Sequence, residues 1–108
     1  MADIAALSNE TIWQQYRHVH PLSGSADVTS YTVELALPEL SVEPTEADWF
    51  PASWEATADA DGYYLAYAEI GPGAGTVEMT AGTVYQIWLR LTLPTETPVV
   101  RGEEVSAY

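Results

Sequence analysis

The stretch from Met79 to Leu91 constrains the fold most, because a turn residue is followed there by alternating side chains. Gly82 lies three residues after Met79 and three before Tyr85, and apolar residues follow Tyr85 at every second position. A period of two is typical of a strand with one buried face. Glycine accepts backbone angles that other residues avoid. The stretch therefore predicts a tight bend that leads into a long strand over about residues 83–92.

The rest of the chain predicts further short strands between segments rich in Gly, Pro and Asp. In residues 29–38, Tyr31, Val33, Leu35 and Leu37 fall on one face of a strand and Thr32, Glu34 and Ala36 on the other, until Pro38 ends it. Gly102 indicates a β-bulge in the final strand. The other strands are expected over 11–20, 53–57, 63–70, 76–80 and 99–108. Seven strands without a helix predict an all-β sandwich or barrel.

Length and charge limit the partners of such a domain. The 108 residues suit one domain, with residues 1–10 as an N-terminal arm or lead-in strand and 11–108 as the sandwich. Sixteen acidic residues stand against three basic ones, none of them Lys, for a net charge of −13. This charge repels nucleic acid and anionic membranes, so neither is an expected partner. It serves either solubility alone or docking on a basic partner.

Sequence signals for location and chemistry are few. We find no signal peptide and no membrane-spanning run, so the chain is expected to be made in a cytoplasm. His18 and His20 lack a third histidine, and residues 59–62 match only part of a calcium loop. Residues 71–75 lack the lysine of a phosphate-binding loop, and there is neither a Cys nor a nucleophile elbow. We therefore expect no enzymatic activity, no cofactor and no metal.

The spacing of Met79, Gly82 and Tyr85 resembles the tyrosine corner of immunoglobulin-like sandwiches, and of fibronectin type III domains in particular. In that corner, a Tyr after a bend buries its ring and returns its hydroxyl to the backbone. The alternative is an ordinary strand after a turn. The position of the motif before the sixth of seven strands favours the corner. The resemblance implies a seven-stranded antiparallel immunoglobulin-like β-sandwich with an N-terminal arm.

The order of motifs resembles small immunoglobulin-like or fibronectin-III-like virion structural proteins of long-tailed phages of high-GC, actinobacterial hosts. The sequence DWFPASW precedes a Tyr-rich strand, GPGAG, AGTVYQIWLRLT and PVVRGEEV. The match covers about residues 31–105. The positions on the pattern are Trp54, Gly71, Pro72, Gly82, Tyr85, Trp88, Pro98 and Val99.

This resemblance implies a virion protein, released inside a phage particle. The expected role is a capsid decoration or minor head protein that binds the major capsid protein or another virion protein, with a possible homo-oligomer on the particle. A head–tail connector or tail component with the same fold is the first alternative. A carbohydrate- or ligand-binding module that uses Trp49, Trp54 and Tyr63 is the second.

Partner-binding residues are expected on the face opposite the core. If Tyr85 points inward, then Gln86, Trp88 and Arg90 point outward. An exposed Trp beside an Arg is typical of protein–protein hot spots. Alternatively, Trp88 lies beneath a loop or the N-terminal arm. Further contacts are expected from Ile4 and Leu7 of the arm and from Trp13 of the first sandwich strand.

Overall fold

The computed structural model describes residues 2–4, 9–16, 31–55, 63–71, 79–93 and 97–108. These residues contain eight strands and one short 3-10 helix, Glu46–Asp48. The strands are β1 (Ala2–Ile4), β2 (Glu10–Tyr16), β3 (Thr32–Ala36), β4 (Phe50–Pro51), β5 (Ser53–Trp54), β6 (Tyr64–Ile70), β7 (Val84–Thr92) and β8 (Val99–Ala107).

The strands form two sheets that pack face to face. The order is β1-β8-β7-β3-β4 in the five-stranded sheet and β2-β6-β5 in the three-stranded sheet. Strands β3 and β7 pair over five residues, and β2 and β6 over seven. One hydrophobic core draws side chains from both sheets. The all-β, sandwich-like prediction is therefore confirmed.

Three details differ from the sequence-based expectation. Residues 2–4 form β1, which runs parallel to β8, so the described pairing is not wholly antiparallel. Met79 and Thr80, at the end of the strand expected over 76–80, lie outside any strand, and residues 76–78 lie outside the described residues. The third difference is β4, which was not predicted and precedes β5 by a single residue.

The chain changes sheets between β4 and β5. Phe50 and Pro51 pair with β3 in the five-stranded sheet, and Ser53 and Trp54 pair with β6 in the three-stranded sheet. At the crossing, the amide of Ala52 donates a hydrogen bond to the carbonyl of Val33 at 3.1 Å. Each strand is too short to show a periodic pattern, which explains why the sequence did not separate them.

The core follows the alternation in β3 and β7. The side chains of Leu35, Leu89 and Leu91 have no exposed surface. The facing strand β6 contributes the small side chains of Ala66 and Ala68, so large residues of one sheet pack against small residues of the other. The largest fully buried side chains are Leu35, Ile70, Ile87, Leu89, Leu91 and Val105.

The predicted β-bulge at Gly102 is confirmed. Gln86 pairs with Glu104 and Trp88 pairs with Arg101, so two residues of β8 lie opposite the single residue Ile87. The extra residue reverses the alternation of β8 and lets Val105 point into the core.

The three-stranded sheet is fastened to this bulge by a glutamine. The Gln14 side chain occupies the space that a Cβ at residue 102 would need. Its Oε1 accepts a hydrogen bond from the backbone amide of Glu103 at 3.2 Å. Glycine at 102 thus gives a side chain from the facing sheet access to the β8 backbone.

Candidate functional site

The turn before β7 brings Met79, Gly82 and Tyr85 together. Gly82 has a φ of +87° and donates a hydrogen bond from its amide to the carbonyl of Ala107 at 2.9 Å. Met79 and the Tyr85 ring are both buried. The Tyr85 hydroxyl accepts a hydrogen bond from the backbone amide of Thr80 at 2.7 Å. The hydroxyl therefore holds the backbone on the far side of the bend, as it does in a tyrosine corner.

Gln86 does not supply an exposed contact on the outer face of the five-stranded sheet. The expectation that its side chain is accessible to a partner is wrong, because only 9% of the residue is exposed. Its Nε2 donates a hydrogen bond to the carbonyl of Gly102 at 3.1 Å. The bulge takes the Gly102 carbonyl out of the regular hydrogen-bond pattern between β7 and β8, and the side-chain amide of Gln86 supplies its hydrogen bond.

Arg90 lies on the same outer face and is held by three neighbours. Its guanidinium forms ion pairs with Glu34 and Glu46, each at 2.8 Å. The guanidinium carbon lies 4.6 Å from the centroid of the Trp49 ring. These contacts fasten the 3-10 helix to the sheet through one side chain, of which 17% is exposed.

The charge on Arg90 also determines the electrostatics of this cluster. Its hydrogen bond and charge hold the pKa of the exposed Glu46 carboxyl below the ordinary value. The hydrogen bond that Arg90 donates to Glu46 in turn raises the pKa of Arg90. The guanidinium is thus engaged within the chain, so the expected Arg90 contact to a partner would have to compete with its own carboxylates.

Trp88 is half-buried, between the two alternatives that its sequence position left open. It lies opposite the fully buried Ala36 in the pairing of β7 with β3. The guanidinium carbon of Arg101 lies 6.0 Å from the Trp88 ring centroid. Within the described part of the chain, the buried Trp88 Nε1 has no hydrogen-bond acceptor.

Of the two contact residues predicted in the N-terminal arm, Ile4 and Leu7, the structure describes only Ile4. Ile4 lies in β1, in register with Ala107 of β8. Its backbone is therefore part of the chain's own sheet. Leu7 lies outside the described residues.

Trp13 is the predicted contact residue with the largest described exposure. It lies on the outer face of the three-stranded sheet, opposite Tyr67 in the register of β2 and β6. The two rings are in contact in a tilted arrangement, with centroids 4.9 Å apart and an interplanar angle of 39°. Of the Trp13 residue, 42% is exposed. The predicted contact residues are thus divided between two outer faces.

Sequence reasoning missed Tyr67 as a surface residue. Leu65 and Tyr67 are as apolar as the residues on the other face of β6, so only Glu69 marks their face as the outer one by alternation. A second signal was size. Small alanines at 66 and 68 suit the inner face, because the facing strands already supply large side chains.

Two of the three aromatic residues of the carbohydrate alternative, Trp49 and Trp54, are engaged in packing. The Trp54 indole donates a hydrogen bond to the carbonyl of Tyr31 at 3.1 Å, and its ring lies between those of Tyr16 and Tyr64. Trp49 has Arg90 over its ring. No specific observation therefore favours a glycan platform built from these residues.

The described residues were also compared with the requirements of a metal site and of a membrane-spanning helix. Among the residues that can be placed, no three His, Asp or Glu side chains gather as metal ligands. The histidines at 18 and 20 and the turn at 59–62 lie outside them. No helix in the described structure has the length and hydropathy needed to cross a membrane.

Comparison of the chain with protein-family models, with curated proteins and with solved structures finds no match. Its function is therefore inferred from the described geometry and from the resemblance of its motifs.

Proposed function

We propose that this chain is a non-enzymatic structural protein of a phage particle, a capsid decoration or minor head protein that binds the major capsid protein. It acts as an immunoglobulin-like sandwich whose outer surface contacts the shell. The phage assignment rests on the order of sequence motifs from residue 31 to residue 105. The described contacts support a module that acts by binding.

The strand order supports the immunoglobulin-like part of the proposal. In that fold, strands C, F and G form one sheet and B, E and D belong to the other. Here β3, β7 and β8 share one sheet, and β2, β6 and β5 share the other. The added β4 lies beside β3, where variable-type domains place an additional strand. Tyr85 occupies the second position of β7, close to where the corner tyrosine lies in strand F.

The observation that carries the binding role is the Trp13–Tyr67 pair. An indole with 42% of its residue surface exposed, already held in place by a neighbouring ring, loses little conformational freedom on binding. Aromatic residues of this kind dominate the binding energy of many interfaces. The net charge of −13 favours a basic surface on the shell.

The first experiment is mass spectrometry of purified phage particles. We expect the chain in every preparation, with hundreds of copies if it decorates the shell and about a dozen or fewer if it belongs to the head–tail junction. Absence of the chain from intact particles would remove the proposal.

The second experiment measures binding of the purified chain to assembled shells of the major capsid protein. Trp13→Ala should weaken binding at least about tenfold, which corresponds to about 1.4 kcal/mol. Tyr108→Ala is the matched control, because this residue is 68% exposed and lies outside the Trp13–Tyr67 pair. Equal affinity of both variants and the wild type would exclude the Trp13 surface.

A further inference from the structure

In the part of the chain that the structure describes, the two sheets have four edge strands, and three of these are short. Strand β1 has three residues including Asp3, β4 has two residues including Pro51, and β5 has two residues. Short strands, charges and prolines are devices that prevent a sheet edge from pairing with another chain. The fourth edge is β2, which has seven residues.

Strand β2 has only one of these protective devices, the charged Glu10 at its first position. It has no proline, and residues 11–16 carry no charge in a chain that contains sixteen acidic residues. Its seven residues pair with β6 in one unbroken register, without a bulge. Among the described strands, none pairs with the opposite side of β2. An edge with these properties is a template for another strand.

The backbone groups that face this open edge can be identified. The amide of Glu55 donates to the carbonyl of Leu65, so the backbone groups of Leu65 point toward β5. Gln15 lies opposite Leu65 and therefore directs its own amide and carbonyl away from β6. By alternation, Trp13 and Thr11 do the same. The Gln14 side chain donates to the Gln15 carbonyl, which retains a second lone pair.

We propose that β2 pairs with β2 of a second copy, antiparallel and with a two-fold axis at Trp13. In this register Trp13 lies opposite Trp13, and Thr11 lies opposite Gln15 of the other copy. Because the edge groups of all three residues point outward, each opposed pair exchanges two backbone hydrogen bonds. A second copy can pair here because segment 11–16 places no like charges opposite each other in this register. Elsewhere on the chain, the acidic residues would repel a second copy.

The dimer would have one continuous six-stranded sheet formed by the three-stranded sheets of both copies. The two Trp13 side chains would then lie next to each other on the outer face, flanked by Tyr67 of each copy. This proposal goes beyond the role in a phage particle and does not depend on it.

The test is the oligomeric state of the full chain, measured by analytical ultracentrifugation over about a hundredfold range of concentration. We expect a reversible dimer. Thr11→Lys combined with Gln15→Lys places lysines directly opposite each other twice in the dimer, which should weaken it about tenfold or more. Both residues are exposed in the single chain, and Thr11 lies opposite Glu69, so the fold should tolerate the change.

The matched variant is Thr11→Lys combined with Gln15→Glu. It alters the same two positions but places opposite charges against each other, so it should restore the dimer. Circular dichroism and thermal unfolding confirm that both variants fold. The proposal is overturned if the wild type is monomeric at all concentrations, if the two lysines leave the dimer unchanged, or if the Lys/Glu variant is as monomeric as the Lys/Lys variant. A monomeric wild type would leave detection in particles, and hence the proposed function, unaffected.

Discussion

The Tyr85 hydroxyl offers the sharpest test of the corner, because one atom can be removed without disturbing the core. Tyr85→Phe retains the buried ring and deletes the oxygen that accepts a 2.7 Å hydrogen bond from Thr80. A hydrogen bond of this kind contributes about 1 kcal/mol to the free energy of unfolding. Water can reach the exposed Thr80 residue and hydrate its amide in part, so the loss should not exceed about 1.5 kcal/mol.

The assay is equilibrium unfolding in urea, followed by tryptophan fluorescence and by circular dichroism. A loss of about 1 kcal/mol should lower the melting temperature of a domain this size by about 4 °C. Tyr108→Phe is the control, since it removes the same atom from a residue that is 68% exposed, and it should unfold like the wild type. If Tyr85→Phe unfolds within about 0.3 kcal/mol of Tyr108→Phe, the hydroxyl does not stabilise the bend and the reasoning fails.

Two further predictions concern the contacts between elements. Gly102→Ala should displace the Gln14 side chain and break its hydrogen bond to Glu103, which should lower the free energy of unfolding by about 1 kcal/mol. In a Gln14→Ala background the same substitution should cost less, because the contact is already absent. Equal losses in the two backgrounds would refute the contact. Because Arg90 lowers the pKa of Glu46, this ion pair contributes stability above the ordinary Glu pKa of about 4.3, which is lost as the pH falls through the lowered value. Glu46→Gln should remove that component from the pH dependence of unfolding, with Glu43→Gln as the control for loss of one acidic group; identical profiles for the two variants would contradict it.

The sequence predicted the parts of the fold that follow from a single strand. Alternation located β3 and β7, and the turn residues located the bend at Gly82 and the bulge at Gly102. Local patterns do not encode which strand lies beside which. The parallel pairing of β1 with β8 and the crossing at Ala52 depend on contacts between distant residues, so they became visible only in the structure.

The candidate site was harder to predict, because exposure depends on what covers a face. The assignment of Gln86 and Arg90 to the outer face was correct in side-chain direction. It could not show that the bulge carbonyl would occupy Gln86 or that Glu34 and Glu46 would surround Arg90. Trp13 differs because its contact with the Tyr67 ring leaves 42% of the residue exposed.

The single additional residue in β8 has a consequence for the integrity of the whole chain. Beyond the bulge, residues 105–107 are paired with the first strand, and Ala107 exchanges backbone hydrogen bonds with Gly82 and Thr83. Without the bulge, a regular ladder from Arg101 onward would place Glu104 opposite Tyr85, so that Glu104 would face the interior and Val105 would face water. The first strand and the bend at Gly82 both bind to residues 105–107 of the last strand. A shift of the β8 pairing by one residue would therefore break the contacts among three distant parts of the sequence.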